Sequence, residues 1–356
     1  MCYGLAMHAA PARDLIRHFH PVLPASKLGR KPVRVVLAGN AYALFRDEQG
    51  RPAALADACP HRLAPLSQGR VRPDGRLECP YHGWHFDAEG RGACPSQPSL
   101  TRCDTRSFQL VEQLGYLWLA HRDTPRSALP ELDFSSDGFE YAGTFSHLAP
   151  APLHVIFDNS SEDEHTPFVH GRLGWTPEDA ARIDFSCDVF EDRTEVKYSA
   201  PQRPSTLARL MLLQPGDTFH NQWVTRFSPV YTVYTSWWTA QNGMERPVVA
   251  RAGIFFVPET ERTTFVRAFL FVKITDPRFR PLLPVVKSAA IALSWKEIRD
   301  DVKFIPHVAD TPFEMKGMRL NKYDATLVHN HRLMRSIYFG ETRGEAEGTG
   351  VGHASA

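Results

Sequence analysis

The apolar pattern of this chain changes character as it proceeds. From Val33 to about Ala120 apolar residues come in short β-rich runs between turn signals. Val33–Ala38 and Ala41–Phe45 flank Gly39-Asn40, and Leu77–Cys79, Trp84–Phe86 and Tyr116–Leu119 follow, with Asp74-Gly75 and Glu89-Gly90 as turns. Several short strands at close intervals predict a small all-β unit that begins with a hairpin turning at Gly39-Asn40. Ahead of it, residues 13–20 predict a short helix. Between Arg122 and Asp137 the chain turns polar and proline-bearing, which marks a domain boundary. Beyond it Leu153–Glu164 reads as helix, then Val230–Trp238, Arg251–Val257 and Phe265–Lys273 as long alternating or aromatic strands. Leu282–Asp301 and Tyr323–Tyr338 read as closing helices. Runs of strands followed by helices predict an α+β chain whose second half is an antiparallel sheet gripped by helices. The expected domains are 13–122 and 123–339, with a Gly-, Glu- and Ala-rich tail over 340–356 expected to be disordered.

Composition narrows the function classes. Apolar residues make up 43%, enough for a sizeable core, and 41 basic against 40 acidic residues leave a net charge of +1. That balance gives no reason to expect a nucleic-acid or membrane-surface partner. Met1–Pro21 has no continuous apolar segment of the signal-peptide kind, and no run approaches the ~18 apolar residues of a membrane span. A cytoplasmic protein is expected. Of six cysteines, Cys2, Cys94, Cys103 and Cys187 show no paired spacing and are expected to be free thiols.

The other two belong to the most informative stretch of the chain. It reads Cys59-x-His61, then seventeen residues, then Cys79-x-x-His82. Two thiolates and two imidazoles on paired tight loops suit one metal centre, and a Cys₂His₂ set is natural for structural zinc. The order points elsewhere, because each loop supplies one of each ligand. That arrangement is needed when two cysteines hold one iron and two histidines hold the other, as in a Rieske [2Fe–2S] cluster. Pro60 and Pro80 follow the cysteines and stiffen both turns. Gly83 allows close backbone approach, and Trp84 is placed to shield a cluster from water.

At these residues the sequence resembles the Rieske non-haem iron oxygenases. Ala64 and Tyr81 stand where respiratory Rieske proteins carry two further cysteines, so the match is to the oxygenase or ferredoxin type. The resemblance implies an N-terminal all-β Rieske domain with Cys59, His61, Cys79 and His82 as cluster ligands. It also implies a C-terminal helix-grip, START-like domain.

The second half carries its own candidate site, Asp158-Asn-Ser-Ser-Glu162-Asp-Glu-His165-Thr-Pro-Phe-Val-His170. Two histidines five apart beside carboxylates propose a mononuclear metal site, against the plainer reading of one core and one surface histidine. On a regular helix they would stand roughly 140° apart, so a bend at Pro167 is expected to let them converge. The resemblance extends here. Asn159, Glu162, His165 and His170 fall on the family's Asn-x-x-Asp-x-x-His-x₄-His, with Glu162 in place of the usual Asp. It implies that Glu162 bridges a cluster histidine of one subunit to an iron ligand of the next, within a head-to-tail homotrimer. The third iron ligand is implied from Glu297-Ile-Arg-Asp300-Asp301, with Asp301 expected and Asp300 the alternative, while His307 is expected on the surface. Such a 2-His-1-carboxylate set leaves positions on Fe(II) open for O₂.

Pocket candidates are Phe157, Phe168, Asn221, Trp223, Trp237 and Trp238, with only one of the last two able to face inward from a strand. The chain has no Gly-x-Gly-x-x-Gly and no Cys-x₄-Cys-x₂-Cys, so electrons are expected from NAD(P)H through a separate reductase or ferredoxin. The implied activity is that of an oxidoreductase of the monooxygenase and demethylase branch. It would hydroxylate or oxidatively demethylate a small, aromatic molecule. A Rieske electron carrier and a zinc-stabilised ligand-binding protein are the alternatives from other classes.

Overall fold

The computed structural model describes residues 15–341, apart from 172, 173 and 316. The predicted tail beyond 341 and the first residues of the predicted helix at 13–20 lie outside these. The described end of that helix is short, since His20 already opens a strand.

Contacts divide the chain into two units, Met1–Pro130 with Val257–Glu261 and Glu131–Phe256 with Arg262–Ala356. The first is all β. Its six-stranded antiparallel sheet runs β1 (His20–Pro24), β10 (Tyr116–His121), β9 (Ser107–Gln113), β4 (Pro52–Ala56), β3 (Asn40–Arg46) and β2 (Val33–Leu37). Beside it β5 (Arg70–Val71), β6 (Leu77–Glu78), β7 (His85–Phe86) and β8 (Gly92–Ala93) form a small sheet in chain order. The β2–β3 hairpin turns at Ala38-Gly39, one residue earlier than predicted, because Leu37 pairs with Asn40. Both turn residues have positive φ, 48° and 75°, the primed geometry that matches strand twist.

The second unit is built on seven antiparallel strands. β12 (Asp184–Val189), β13 (Arg193–Pro201), β14 (Thr218–Phe227), β15 (Val230–Thr239), β16 (Val248–Thr260) and β17 (Thr263–Ile274) follow in chain order, and β11 (Glu140–Ala149) pairs with the far side of β17. Between β11 and β12 come α1 (Leu153–Ser161) and the short α2 (Thr166–Val169), and α3 (Thr206–Leu210) links β13 to β14. The long helix α4 (Leu283–Phe304) packs on β11 and β17. The predicted helix at Tyr323–Tyr338 is divided into a 3₁₀ turn at Lys322–Asp324, α5 (Leu327–Leu333) and a π turn at Met334–Tyr338. Among the described residues no helix is long and apolar enough to cross a membrane.

Candidate metal centres

In the first unit the two Cys-Pro loops leave β4 and β6 and close in the same way. Cys59 N–H donates to the Ala64 carbonyl and Leu63 N–H to that of Cys59 (2.9 and 2.8 Å); Cys79 N–H donates to Trp84 and Gly83 N–H to Cys79 (2.7 and 3.2 Å). The residue four beyond each cysteine is left-handed, Leu63 at φ 58° and Gly83 at φ 72°. Both thiols are buried, packed with Phe45, Leu55, Leu77 and Phe86. Burial, together with the neighbouring Cys79 thiol, pushes Cys59 up to about 11. Two thiols held side by side out of water are a poor arrangement for free cysteines and a good one for a shared metal centre.

The histidines face the other way. His61 and His82 are exposed, with ring centroids 4.5 Å apart, and His61 stacks on Trp84 at 4.9 Å. Buried sulfur on one side and paired exposed imidazoles on the other suit a cluster with chemically different ends.

The second site begins where α1 stops. Ser160 and Ser161 donate to the carbonyls of Ile156 and Phe157, and Glu162 is then extended (φ −127°, ψ 162°). A turn leads into α2, where Pro167 occupies the first turn, a position that needs no amide hydrogen. The predicted bend at Pro167 is therefore a break between two helices at Glu162–His165, with Pro167 starting the second. Arg203 fixes the far end of α2 by donating to the carbonyls of Pro167 and His170, each at 3.0 Å.

This break turns both imidazoles toward α4. His170 Nε2 lies 3.0 Å and His165 Nε2 3.5 Å from the same Asp301 Oδ1, with ring centroids 5.2 Å apart. His165, His170 and Asp301 offer three ligand atoms close enough for one ion. Asp300, one residue away on the helix, pairs instead with Lys296. Behind the ligand atoms each ring meets a further carboxylate. His165 Nδ1 is 2.6 Å from Glu162 Oε1, and His170 Nδ1 is 2.9 Å from Glu297 Oε2. Glu162 Oε2 also accepts from the backbone N–H of Glu164 and His165, which holds it in place.

Electrostatics follow from this packing. Burial opposes charge on both rings, but the carboxylates outweigh it. Glu162 and Asp301 raise His165, and Asp301 and Glu297 raise His170 to about 10. Without a cation His170 is protonated at neutral pH, and a metal entering here displaces that proton. The donor set of two imidazoles and one carboxylate, with a carboxylate behind each ring, fits a first-row divalent ion with open positions.

The three ligand candidates open onto a cavity of about 280 Å³ on the face of the sheet, lined among others by Phe219, Trp223, Tyr234 and Trp238. Of the predicted pocket residues, Asn221, Trp223 and Trp238 line it. Trp237 faces away and stacks on His220 at 5.1 Å. Phe157 is core, packed on Phe227 and Phe256, and Phe168 is 74% exposed. Asn159 is not part of the lining; its Nδ2 is buried without a hydrogen-bond partner among the described residues. His307 is exposed. Sequence reading missed Glu297 and Arg203. Glu297 was within reach, since it precedes Asp301 by four residues and so shares its helix face. Arg203 had no local signal.

Fold and candidate sites together outline a two-module metal protein, with a Cys₂His₂ loop pair in one unit and a His-His-Asp set beside a cavity in the other. Residues 18–110 match the Rieske [2Fe-2S] domain and residues 149–291 the vanillate O-demethylase oxygenase C-terminal domain. The chain belongs to the Rieske non-haem iron oxygenases.

Relatives agree over different stretches. Chlorophyllide a oxygenase of Chlamydomonas reinhardtii is 31% identical over 51% of this chain, but that match spans only 29% of the relative's own length. The oxygenase component of dicamba O-demethylase from Stenotrophomonas maltophilia is 27% identical over 66% of this chain and 71% of its own. A crystal structure of dicamba monooxygenase bound to 3,6-dichlorosalicylic acid superposes with a TM-score of 0.73 at 22% identity, covering 94% of this chain and 99% of the other. A Pseudomonas putida CBB5 NdmA mutant with caffeine gives 0.66 at 18% identity, with 92% of each chain covered. At such identities these structures speak to the fold.

Proposed function

We propose that this chain is the terminal oxygenase component of a monooxygenase or demethylase system acting on a small planar substrate. The observation that carries the reading is the convergence of His165 and His170 Nε2 on Asp301 Oδ1 at the wall of an aromatic-lined cavity. A carrier of electrons alone has no use for a second ligand set at the wall of a cavity.

In this reading Cys59, His61, Cys79 and His82 hold the [2Fe–2S] cluster, and His165, His170 and Asp301 hold Fe(II). When bound, these groups supply the one-electron steps and the open coordination positions that O₂ activation requires. The protein's residues supply the rest. Glu162 accepts a hydrogen bond from His165 Nδ1–H and Glu297 faces His170 Nδ1 at 2.9 Å, so each carboxylate favours the Nδ1–H tautomer and leaves Nε2 free to ligate. Aromatic side chains wall the cavity beside the site and give a flat ring something to pack on. Glu162 is further the carboxylate through which a cluster histidine of a neighbouring subunit would connect to His165. That role requires the head-to-tail homotrimer, and electrons would reach it from NAD(P)H through a separate reductase or ferredoxin.

Iron and acid-labile sulfide per chain, with an EPR spectrum after dithionite reduction, test this reading. About three irons, two sulfides and a Rieske-type signal are expected from one cluster plus one mononuclear ion. Two irons that stay two after Fe(II) reloading would leave only an electron carrier, and zinc without sulfide would sink both.

A further inference from the structure

The sheet face under the cavity has a pattern of its own. On adjoining strands Tyr198 pairs with Asn221, Asn221 with Ser236, and Ser236 with Ala250, so these residues form one row across β13 to β16. The row on one side holds Phe219 and Trp238, and the row on the other holds Trp223 and Tyr234. A single polar row thus runs between two aromatic ones, roughly 6.6 Å from each at two residues' rise.

The polar atoms of those rows are not equally free. Tyr234 donates its hydroxyl to the Ser160 carbonyl, and Trp238 Nε1 donates to Gln202 Oε1 at 2.6 Å. Tyr198 is engaged by Asp163 and Asn221. Ser236 Oγ donates to Asn221 Oδ1 at 2.9 Å. An amide has two N–H donors and a hydroxyl oxygen two lone pairs. Asn221 therefore keeps an N–H beyond the one it gives Tyr198, and Ser236 keeps acceptor capacity. The row offers the cavity one neutral donor beside one neutral acceptor.

Charge along the lining is one-sided. Glu162, Asp163, Glu297 and Asp301 all line the cavity, and among its described lining residues there is no Lys or Arg. Burial raises Asp163, so the sign of the lining rests on the other three carboxylates, of which a bound Fe(II) offsets two charges and no more. A substrate carboxylate would lose its hydration here without a cation to meet it, a cost far above that of a neutral carbonyl or hydroxyl.

We infer that the cavity selects an uncharged planar ring compound bearing a carbonyl or hydroxyl group, held by Asn221 and Ser236 between the aromatic rows, and rejects aromatic carboxylates. This rests on reading the cavity as the substrate pocket.

The test is binding rather than turnover. Quenching of tryptophan fluorescence, to which Trp223 and Trp238 contribute, is followed in the iron-loaded full chain under argon with 3-methoxybenzamide, 3-methoxybenzoate and anisole. The amide and the carboxylate share shape and differ in charge. The amide should bind at least ~10-fold more tightly than the benzoate. Asn221→Leu and Ser236→Ala should each weaken the amide about fivefold, the scale of one neutral hydrogen bond, and leave anisole within about twofold. Benzoate binding as tightly as amide, equal weakening of amide and anisole in both variants, or no quenching by any of the three overturns the inference. Iron and sulfide counts on the same samples separate the two failures. A preparation with the full complement that lacks this preference retains the oxygenase reading and loses only the substrate class.

Discussion

The two candidate metal centres place their histidines in opposite settings. In the first unit the thiols are buried and the imidazoles of His61 and His82 are exposed. In the second both imidazoles line a cavity with carboxylates behind them and aromatic residues around them. Under the proposed function the difference corresponds to two tasks. A site that passes electrons needs a ligand edge at the surface, where a partner can approach. A site that handles O₂ and substrate needs the reacting positions enclosed and the ligands held from behind. The chain builds the first from two local turns and the second from segments more than a hundred residues apart.

The sharpest way to break this comparison is to remove one thiol. Cys79→Ser should abolish the cluster, with loss of two irons, the labile sulfide and the EPR signal, and should destabilise the first unit because Cys79 is part of its core. A variant that kept a Rieske signal would remove Cys79 from the ligand set. Next in size, His165→Ala should remove the mononuclear iron and all turnover while leaving the Rieske spectrum intact. Normal oxidation by that variant would show that the cavity is not the reaction site.

A smaller effect separates the carboxylates on α4. Glu297→Gln should weaken Fe(II) binding by ~10–100-fold through loss of the partner behind His170. Asp300→Asn, which disturbs the Lys296 pair and touches neither imidazole's carboxylate partner, should leave it within about twofold. Titration of the apo chain with Fe(II), the cluster spectrum serving as the internal standard, reads both. Equal effects would mean that Glu297 acts through helix stability instead.

Legibility in the sequence divides along the same line. The Cys-x-His and Cys-x-x-His loops could be read directly, because each turn is closed by hydrogen bonds within six residues. The strand runs of the second sheet were also readable, since their apolar alternation is local. The source of convergence at His165 and His170 was not. Pro167 opens a helix there and kinks none. What turns the chain is the extended Glu162 together with Arg203, which reaches back from 33 and 36 residues away. Which of Trp237 and Trp238 faces the cavity depended on register, and register is set by pairing with β14 rather than by either residue.

The finest contrast lies between the two Cys-Pro loops themselves. They close with the same hydrogen bonds, yet the left-handed position is Gly83 in one and Leu63 in the other. An L residue there costs about 1–2 kcal/mol that glycine avoids. Leu63 is 73% exposed, so little packing offsets the strain. A Cβ at residue 83 would meet nothing nearer than Pro95 at 3.7 Å, so conformation alone sets the cost of Gly83→Ala, about 1 kcal/mol. Leu63→Gly relieves the strain and loses part of the gain to the added freedom of the unfolded chain, a net stabilisation of about 0.5–1 kcal/mol. Denaturant melts of the cluster-loaded chain, followed by cluster absorbance, should therefore move in opposite directions for the two variants. If Leu63→Gly destabilised instead, the exposed leucine would have to be making a contact in the assembled protein, and the two loops would be alike in backbone only.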